Sequence, residues 1–513
     1  MKKKKGLFLR FLDGVEKAGN MLPHPVTIFL ILCVIVAVAS AIAAALGTTV
    51  SYEGIDPKTL ESAQITVTAV NLLSADGIRY MFTNAVSNFT SFAPLGTVLV
   101  AMLGVGVAEG TGMISAALRK LILSTPKSLI TAIVVFAGIL SNVASDAGYV
   151  VLVPLGALIF ASVGRHPIAG LAAAFAGVSG GFSANLIIGT IDPLLAGIST
   201  EAAHILRPDI TVTATANLYF MMVSTFLITI LGTIVTEKIV EPRLGKYKGS
   251  HVEKAEVLSD EERRGLRYSL WTLIAFIVII LLLVVPNGAI LRDQKTGEML
   301  GNSPFMNSIV PIIALAFLLP GIAYGIGAKS IKNDKDIVHS MSKAMSTMGS
   351  YLVLTFVASQ FVAYFNYTKL GTIIAVKGAD ALEAAGIGGI GLIILFIVLT
   401  AFINLFMGSA SAKWAIMAPI FVPMLMNSGF APGFTQLAYR IGDSTTNIIS
   451  PLMSYFAVIV AFASKYDEES GIGTLISTMV PYSLIFLVGW TALLVIWYLL
   501  GWPIGPSAGI FIG

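Results

Sequence analysis

Long uncharged runs alternate with short polar segments along most of the chain. Seven runs read as membrane-crossing helices: 25–46, 93–108, 217–236, 268–286, 308–328, 345–368 and 475–501. The first has 22 residues, enough to cross a hydrocarbon core of ~30 Å. It lacks a small-residue cleavage pattern, so it reads as a retained helix behind Lys2–Lys5 rather than a signal peptide.

Two stretches resist simple hydropathy. In 128–200, apolar arms flank the polar junction Ser141-Asn142-Val143-Ala144-Ser145-Asp146, and a later run stops at Asp192-Pro193. In 384–464, the arms flank 404–413, which opens on Asn404 and closes on Lys413, and Arg440 and Asp443 follow. Arms this short predict hairpins that enter and leave by the same face. Their tips are tolerated in a membrane only where they line a polar cavity. The prolines repeat as well, with Pro154 and Pro167 spaced like Pro419 and Pro432. Each second proline precedes a helix that breaks at a polar stretch: 181–193, containing Asn185 and Asp192, and 442–451, containing Asp443, Asn447 and Pro451.

Composition turns this pattern into a fold class. Apolar residues make up 56%, charged residues only 12%, and mean hydropathy is +0.87. A soluble fold needs more charge than that. Cytosolic enzymes, disordered chains and nucleic-acid binders are excluded. The single cysteine, Cys33, allows no intrachain disulfide. The basic residues set the topology. With both hairpins turning back, 23 of the 32 lysines and arginines fall on one side and 7 on the other, leaving Lys413 and Arg440 in the membrane. The expectation is an all-α polytopic membrane protein. It has nine transmembrane helices, two re-entrant hairpins and a cytoplasmic N-terminus. The segments are an N-terminus 1–24, a first repeat 25–240 with hairpin 128–165, a loop and linking span 241–307, and a second repeat 308–513 with hairpin 384–428. Inverted repeats whose broken helices meet at the midplane are the architecture of secondary transporters.

Intramembrane charge marks candidate chemistry. The residues are Asp146, Asp192, Lys413, Arg440 and Asp443. Arg440 and Asp443, three apart, could pair on one helix face. Asp443 with Ser444, Thr445, Thr446 and Asn447 offers hard oxygen ligands for Na+ or a proton relay. Asp192 with Thr190 offers a similar cluster, or else a helix cap. Lys413 could snorkel or offset the nearby negative charges. Asn142, Asn185 and Asn404 sit at the tips and breaks. Trp414, beside Ser411, could stack on an aromatic substrate or simply pack. His166 reads as an interface anchor and Glu109 as solvated. The match of 386–391 to GxGxxG follows no strand and carries no weight. No P-loop or HExxH motif is present, so ATP-driven transport and zinc hydrolysis are not expected.

Several longer motifs are specific. They include Gly164-Arg165-His166-Pro167, Gly181-Phe182-Ser183-Ala184-Asn185, the run 189–198 around Asp192, and Gly408 to Ala415 around Trp414. With Ala418 to Met424, Tyr439 to Ser444 and Ile504-Gly505-Pro506, they resemble the AbgT family of p-aminobenzoyl-glutamate transporters over nearly the whole chain. Within it, the chain is most similar to the MtrF-type drug-efflux members. The resemblance implies a homodimer in the bacterial inner membrane. It implies p-aminobenzoyl-glutamate, p-aminobenzoate or sulfonamides as substrates, with efflux the expected direction. It places Asp192, Ser411, Trp414, Pro432, Arg440, Asp443 and Pro451 at transport positions, and Asn404, Asp443 and Asn447 at a cation site. No cofactor is implied beyond Na+ or H+ as coupling ion. Lys413 departs from the uncharged residue expected before the tryptophan. The alternatives are a dicarboxylate or anion:Na+ symporter of the same broad superfamily, a membrane-embedded enzyme, and a passive channel.

Overall fold

The computed structural model describes residues 23–55, 62–124, 126–144, 148–247, 257–299, 303–386, 388–450, 453, 455–467 and 472–512. Asp146 and Pro451 lie outside the described residues. The chain is helical almost throughout. Among the described residues one antiparallel strand pair departs from this, Thr49–Ile55 with Ser62–Thr68, in register from Thr49↔Thr68 to Ile55↔Ser62.

Among the described residues, five helices are long and apolar enough to cross a membrane: Pro25–Ala45, Leu218–Leu244, Asp260–Val284, Ile309–Gly327 and Ile472–Leu500. Two further candidates are bent pairs. Leu95–Gly110 meets Met113–Leu123 at 59°, and Asp334–Ser346 meets Gly349–Tyr367 at 46°. Each of the seven spans read from hydropathy therefore has its helix. A count of nine would add the broken helices that follow each hairpin.

Asp260–Val284 starts on a capping box, with Ser259 Oγ accepting from Glu262 N–H and Glu262 bonding back to Ser259 N–H. It then runs largely unburied, as a lipid-facing helix should. Ile309–Gly327 packs between it and Ala93–Gly110. Small residues make this contact close. A Cβ on Gly321 would lie 2.9 Å from Ala108 Cα, and one on Gly327 2.7 Å from Gly265 Cα.

Seven elements build the interior. In the first half they are α1 (Ile130–Ser141), α2 (Val153–Ser162), α3 (Pro167–Phe175) and α4 (Ile191–Ala203). In the second half they are α5 (Gly389–Asn404), α6 (Ala410–Asn427) and α7 (Pro432–Asn447). The arms Lys127–Ser141 and Gly148–Ser162 span about 22 Å each at 1.5 Å per residue, less than the hydrocarbon thickness. Pro167 and Pro432 both sit at the first turn of their helices, where a missing N–H costs nothing. Pro154 follows the π-helical turn Gly148–Leu152 within its arm, and Pro419 lies inside α6. Every residue of α3 and of α7 is buried. These two helices form the centre, one from each half. A lateral tie holds the base of the first hairpin: Arg165 meets Glu241 at 2.5 Å and donates to Thr131 Oγ1, which donates to Glu237. His166 caps α3 by accepting from Ile168 N–H and packs edge-on against Tyr247. Glu109 is exposed at the end of its helix.

Candidate functional site

Helix α7 inverts ordinary patterning. It is entirely buried yet carries Gln436, Tyr439, Arg440, Asp443, Thr446 and Asn447 at spacings of three and four. This stripe faces α5, α6 and α4. Gly442 lets α5 approach; a Cβ there would come within 2.5 Å of Ile397 O.

Two ion pairs lie on this stripe. Arg440 Nη1 is 2.6 Å from Asp192 Oδ1. Lys413 Nζ is 2.5 Å from Asp443 Oδ1. All four side chains are at most 2% exposed. The expected Arg440–Asp443 pair on one helix face does not form. Each finds an opposite charge on another element, and both charges are balanced where no solvent reaches them.

The pairs differ in completeness. Asp192 Oδ2 accepts from Gly189 N–H at 2.6 Å, so Asp192 both fastens the start of α4, where a carboxylate suits the helix dipole, and faces Arg440. The Arg440–Asp192 approach is close but not aligned as a hydrogen bond. Arg440 Nε and Asp192 Oδ1 have no hydrogen-bond partner among the described residues. Lys413, by contrast, has three acceptors for its three protons: Asp443 Oδ1, Asn404 Oδ1 and Met407 O at 3.4 Å. It is fully buried and offsets Asp443; it does not snorkel.

Around the pairs the two halves interlock. Ser183 N–H, in the unwound stretch after α3, donates to Ser444 Oγ on α7 at 3.1 Å. Asn404 Nδ2 has three acceptors, Asp443 O, Thr446 Oγ1 and Asn447 Oδ1, within 2.6–2.9 Å for its two protons. Asn185 Oδ1 accepts from Leu186 N–H. Asn142 is buried at the first tip, its Oδ1 without a hydrogen-bond partner among the described residues.

Trp414 is fully buried. Its indole N–H donates to Ser199 Oγ at 3.0 Å, and its ring lies 4.4 Å from that of Tyr439. Its face is therefore already covered in this conformation. Tyr439 hydroxyl donates to Ala410 O at 2.5 Å and lies 3.3 Å from Asp443 Oδ1. Ser199, Gln436 and Asn217 continue the network through bonds of 2.7 and 2.8 Å. Ser411 is half-buried beside Ser409. Pro432 lies elsewhere, lining a ≈ 240 Å³ cavity with Arg207, Thr213 and Ser507.

Tyr439, Gln436 and Ser199 were not singled out from sequence. The three-and-four spacing of polar residues across 436–447 is the signal that could have found the first two.

The implied cation ligands Asn404, Asp443 and Asn447 do converge, but one side-chain oxygen of each, Oδ1, is already engaged. Asn404 and Asp443 face Lys413 Nζ, and Asn447 Oδ1 takes an Asn404 proton. A sodium ion does not fit this arrangement while Lys413 is in place. Beside the unwound stretch lies a ≈ 480 Å³ apolar cavity lined by Leu186, Ile187, Phe276, Ile277 and Phe317.

The chain matches the AbgT putative transporter family over residues 10–512. It is 41% identical to the p-aminobenzoyl-glutamate transport protein of Escherichia coli K12, over 96% of this chain and 95% of that one. Two solved structures share its fold. MtrF of Neisseria gonorrhoeae, described as illuminating a class of antimetabolite efflux pumps, is 52% identical with a TM-score of 0.90, covering 97% of this chain and all of that one. The YdaH transporter of Alcanivorax borkumensis is 49% identical with a TM-score of 0.88, covering 94% and 100%. The buried ion pairs that tie α7 to α4 and α6 thus lie in the interior of a membrane transporter and not of an enzyme, and the chain belongs to the AbgT family.

Proposed function

We propose that this protein moves a small aromatic carboxylate of the aminobenzoyl type, or a sulfonamide resembling one, across the bacterial inner membrane by ion-coupled alternating access, in the direction of efflux. The observation that carries this reading is the open Arg440–Asp192 pair. A buried guanidinium N–H without a partner is costly to leave unmade, and a planar carboxylate is the ligand that guanidinium geometry fits. The relatives' substrates, p-aminobenzoyl-glutamate and antimetabolites, favour such an anion. The apolar cavity beside 186–188 suits the ring.

Charge balance supports coupling. Asp192, Arg440, Lys413 and Asp443 form a neutral quartet. An anion entering it adds uncompensated charge to a low-dielectric site, and a co-moving cation removes that cost. Trp414 would meet a substrate ring only after α6 moves away from Tyr439. The repeats 25–240 and 308–513 supply the two bodies for such a motion, with the N-terminus cytoplasmic and the working unit a homodimer.

The test is radiolabelled p-aminobenzoate flux in proteoliposomes under separately imposed cation gradients. Gradient-driven flux that Arg440→Gln abolishes is expected. Equal flux without any gradient, or full activity in Arg440→Gln, would refute the reading.

A further inference from the structure

We propose that Lys413 is a resident cation, tethered to α6, that takes the place of a coupling Na+ at Asn404, Asp443 and Asn447, so that the protein works without sodium. This role presupposes the transporter reading above. A hard cation needs several oxygens aimed at one point. Here the point is held by an ammonium group whose three protons meet Asp443 Oδ1, Asn404 Oδ1 and Met407 O.

Lys413 also dictates what its neighbours can offer. An ammonium is a donor only, so Asn404 must turn its carbonyl oxygen toward Nζ. Its amide nitrogen then faces Asn447 Oδ1 at 2.8 Å and Thr446 Oγ1 at 2.9 Å. One side chain thus occupies the centre of the site and turns a second away. Tyr439, 3.3 Å from Asp443 Oδ1, closes the remaining approach to that oxygen. A sodium ion would need to displace a covalently attached charge of its own sign.

The first half provides an internal control. Nine residues after Asn404 comes Lys413; nine after Asn142 comes Val151. Asn142 Oδ1 has no hydrogen-bond partner among the described residues. The cation is a property of the second tip alone.

The test is binding of radioactive sodium to the purified full-length protein, with melting temperature read in NaCl and in KCl. Wild type is expected to show no saturable sodium binding and equal melting temperatures in the two salts. Lys413→Ala vacates the centre and frees Asn404 and Asp443. It should gain saturable binding and melt higher in NaCl than in KCl, and Lys413→Ala/Asp443→Asn should lose both again. Lys413→Gln is the second variant, with a smaller gain in the same direction. Saturable sodium binding to wild type overturns the assignment without reference to any variant. So does a monodisperse Lys413→Ala protein indifferent to sodium. Substrate flux separates the two readings: flux that requires a sodium gradient in wild type overturns the tethered cation and leaves the transporter intact. A sodium-silent wild type whose Lys413→Ala form binds sodium upholds the tethered cation even where no aminobenzoyl substrate is moved.

Discussion

The two hairpin tips each bury one asparagine, and the two asparagines end in opposite states. Asn404 Oδ1 receives the Lys413 ammonium, while Asn142 Oδ1 receives no hydrogen bond from any described residue. The ion pairs repeat the contrast. Lys413–Asp443 is closed, with every ammonium proton assigned within the second half. Arg440–Asp192 joins the two halves and leaves Arg440 Nε open. A closed pair holds structure together. An open pair keeps unmet hydrogen-bonding capacity that a ligand can meet, and in the alternating-access reading proposed above it lies where the two halves part.

Breaking the closed pair should have the largest effect. Lys413→Met leaves Asp443 buried without a counter-charge, and removal of one partner of a buried pair costs about 3–5 kcal/mol. Thermal or denaturant unfolding in detergent should place this variant near the top of that range, with Lys413→Met/Asp443→Asn recovering most of the loss. Arg440→Met should fall toward the lower end of the same ~3–5 kcal/mol range, because its guanidinium satisfies fewer partners. If Arg440→Met proves the more destabilising, the open–closed distinction fails.

Gly442→Ala tests the seat of both pairs. The new methyl meets the Ile397 carbonyl oxygen, and overpacking of this kind costs about 1–3 kcal/mol. Its unfolding midpoint should drop, and transport should fall with it, because α7 carries Arg440 and Asp443 together. The smallest expected change is Trp414→Phe. It keeps an aromatic face for Tyr439 but deletes the donor to Ser199 Oγ, a loss of about 1 kcal/mol. A loss as large as that of Lys413→Met would show that the indole does more than pack and donate.

Much of the fold was legible because lipid imposes simple rules. Uncharged length located 25–46, 217–236, 308–328 and 475–501 to within a few residues of the helices observed, apart from the continuation of 218–235 to Leu244. The short arms were legible too, and they appear as the short apolar helices Lys127–Ser141, Gly148–Ser162 and Gly389–Asn404. Scarcity of charge isolated Asp192, Lys413, Arg440 and Asp443. Pairing was not legible. Helical spacing suggested Arg440 with Asp443, but side chains on α4 and α6, 248 and 30 residues away along the chain, outcompete it. The sequence alone leaves open whether Trp414 packs or stacks on a substrate, because its covering ring, Tyr439, comes from another helix. The strand pair 49–55 and 62–68 falls between the uncharged runs, where hydropathy assigns no element, although alternation in Thr49-Val50-Ser51-Tyr52 favours a strand. The polar stripe on α7 could have been found from its spacing, but its complete burial depends on neighbours that hydropathy does not name.

Equilibrium binding of radiolabelled p-aminobenzoate to two pair-neutral variants tests the central claim most directly. Both Asp192→Asn/Arg440→Gln and Lys413→Met/Asp443→Asn keep the buried quartet electroneutral, so each should fold well enough to assay. The account predicts that neutralising the open pair eliminates detectable binding, while neutralising the closed pair leaves affinity within a few-fold of wild type. Undiminished binding to Asp192→Asn/Arg440→Gln would contradict it.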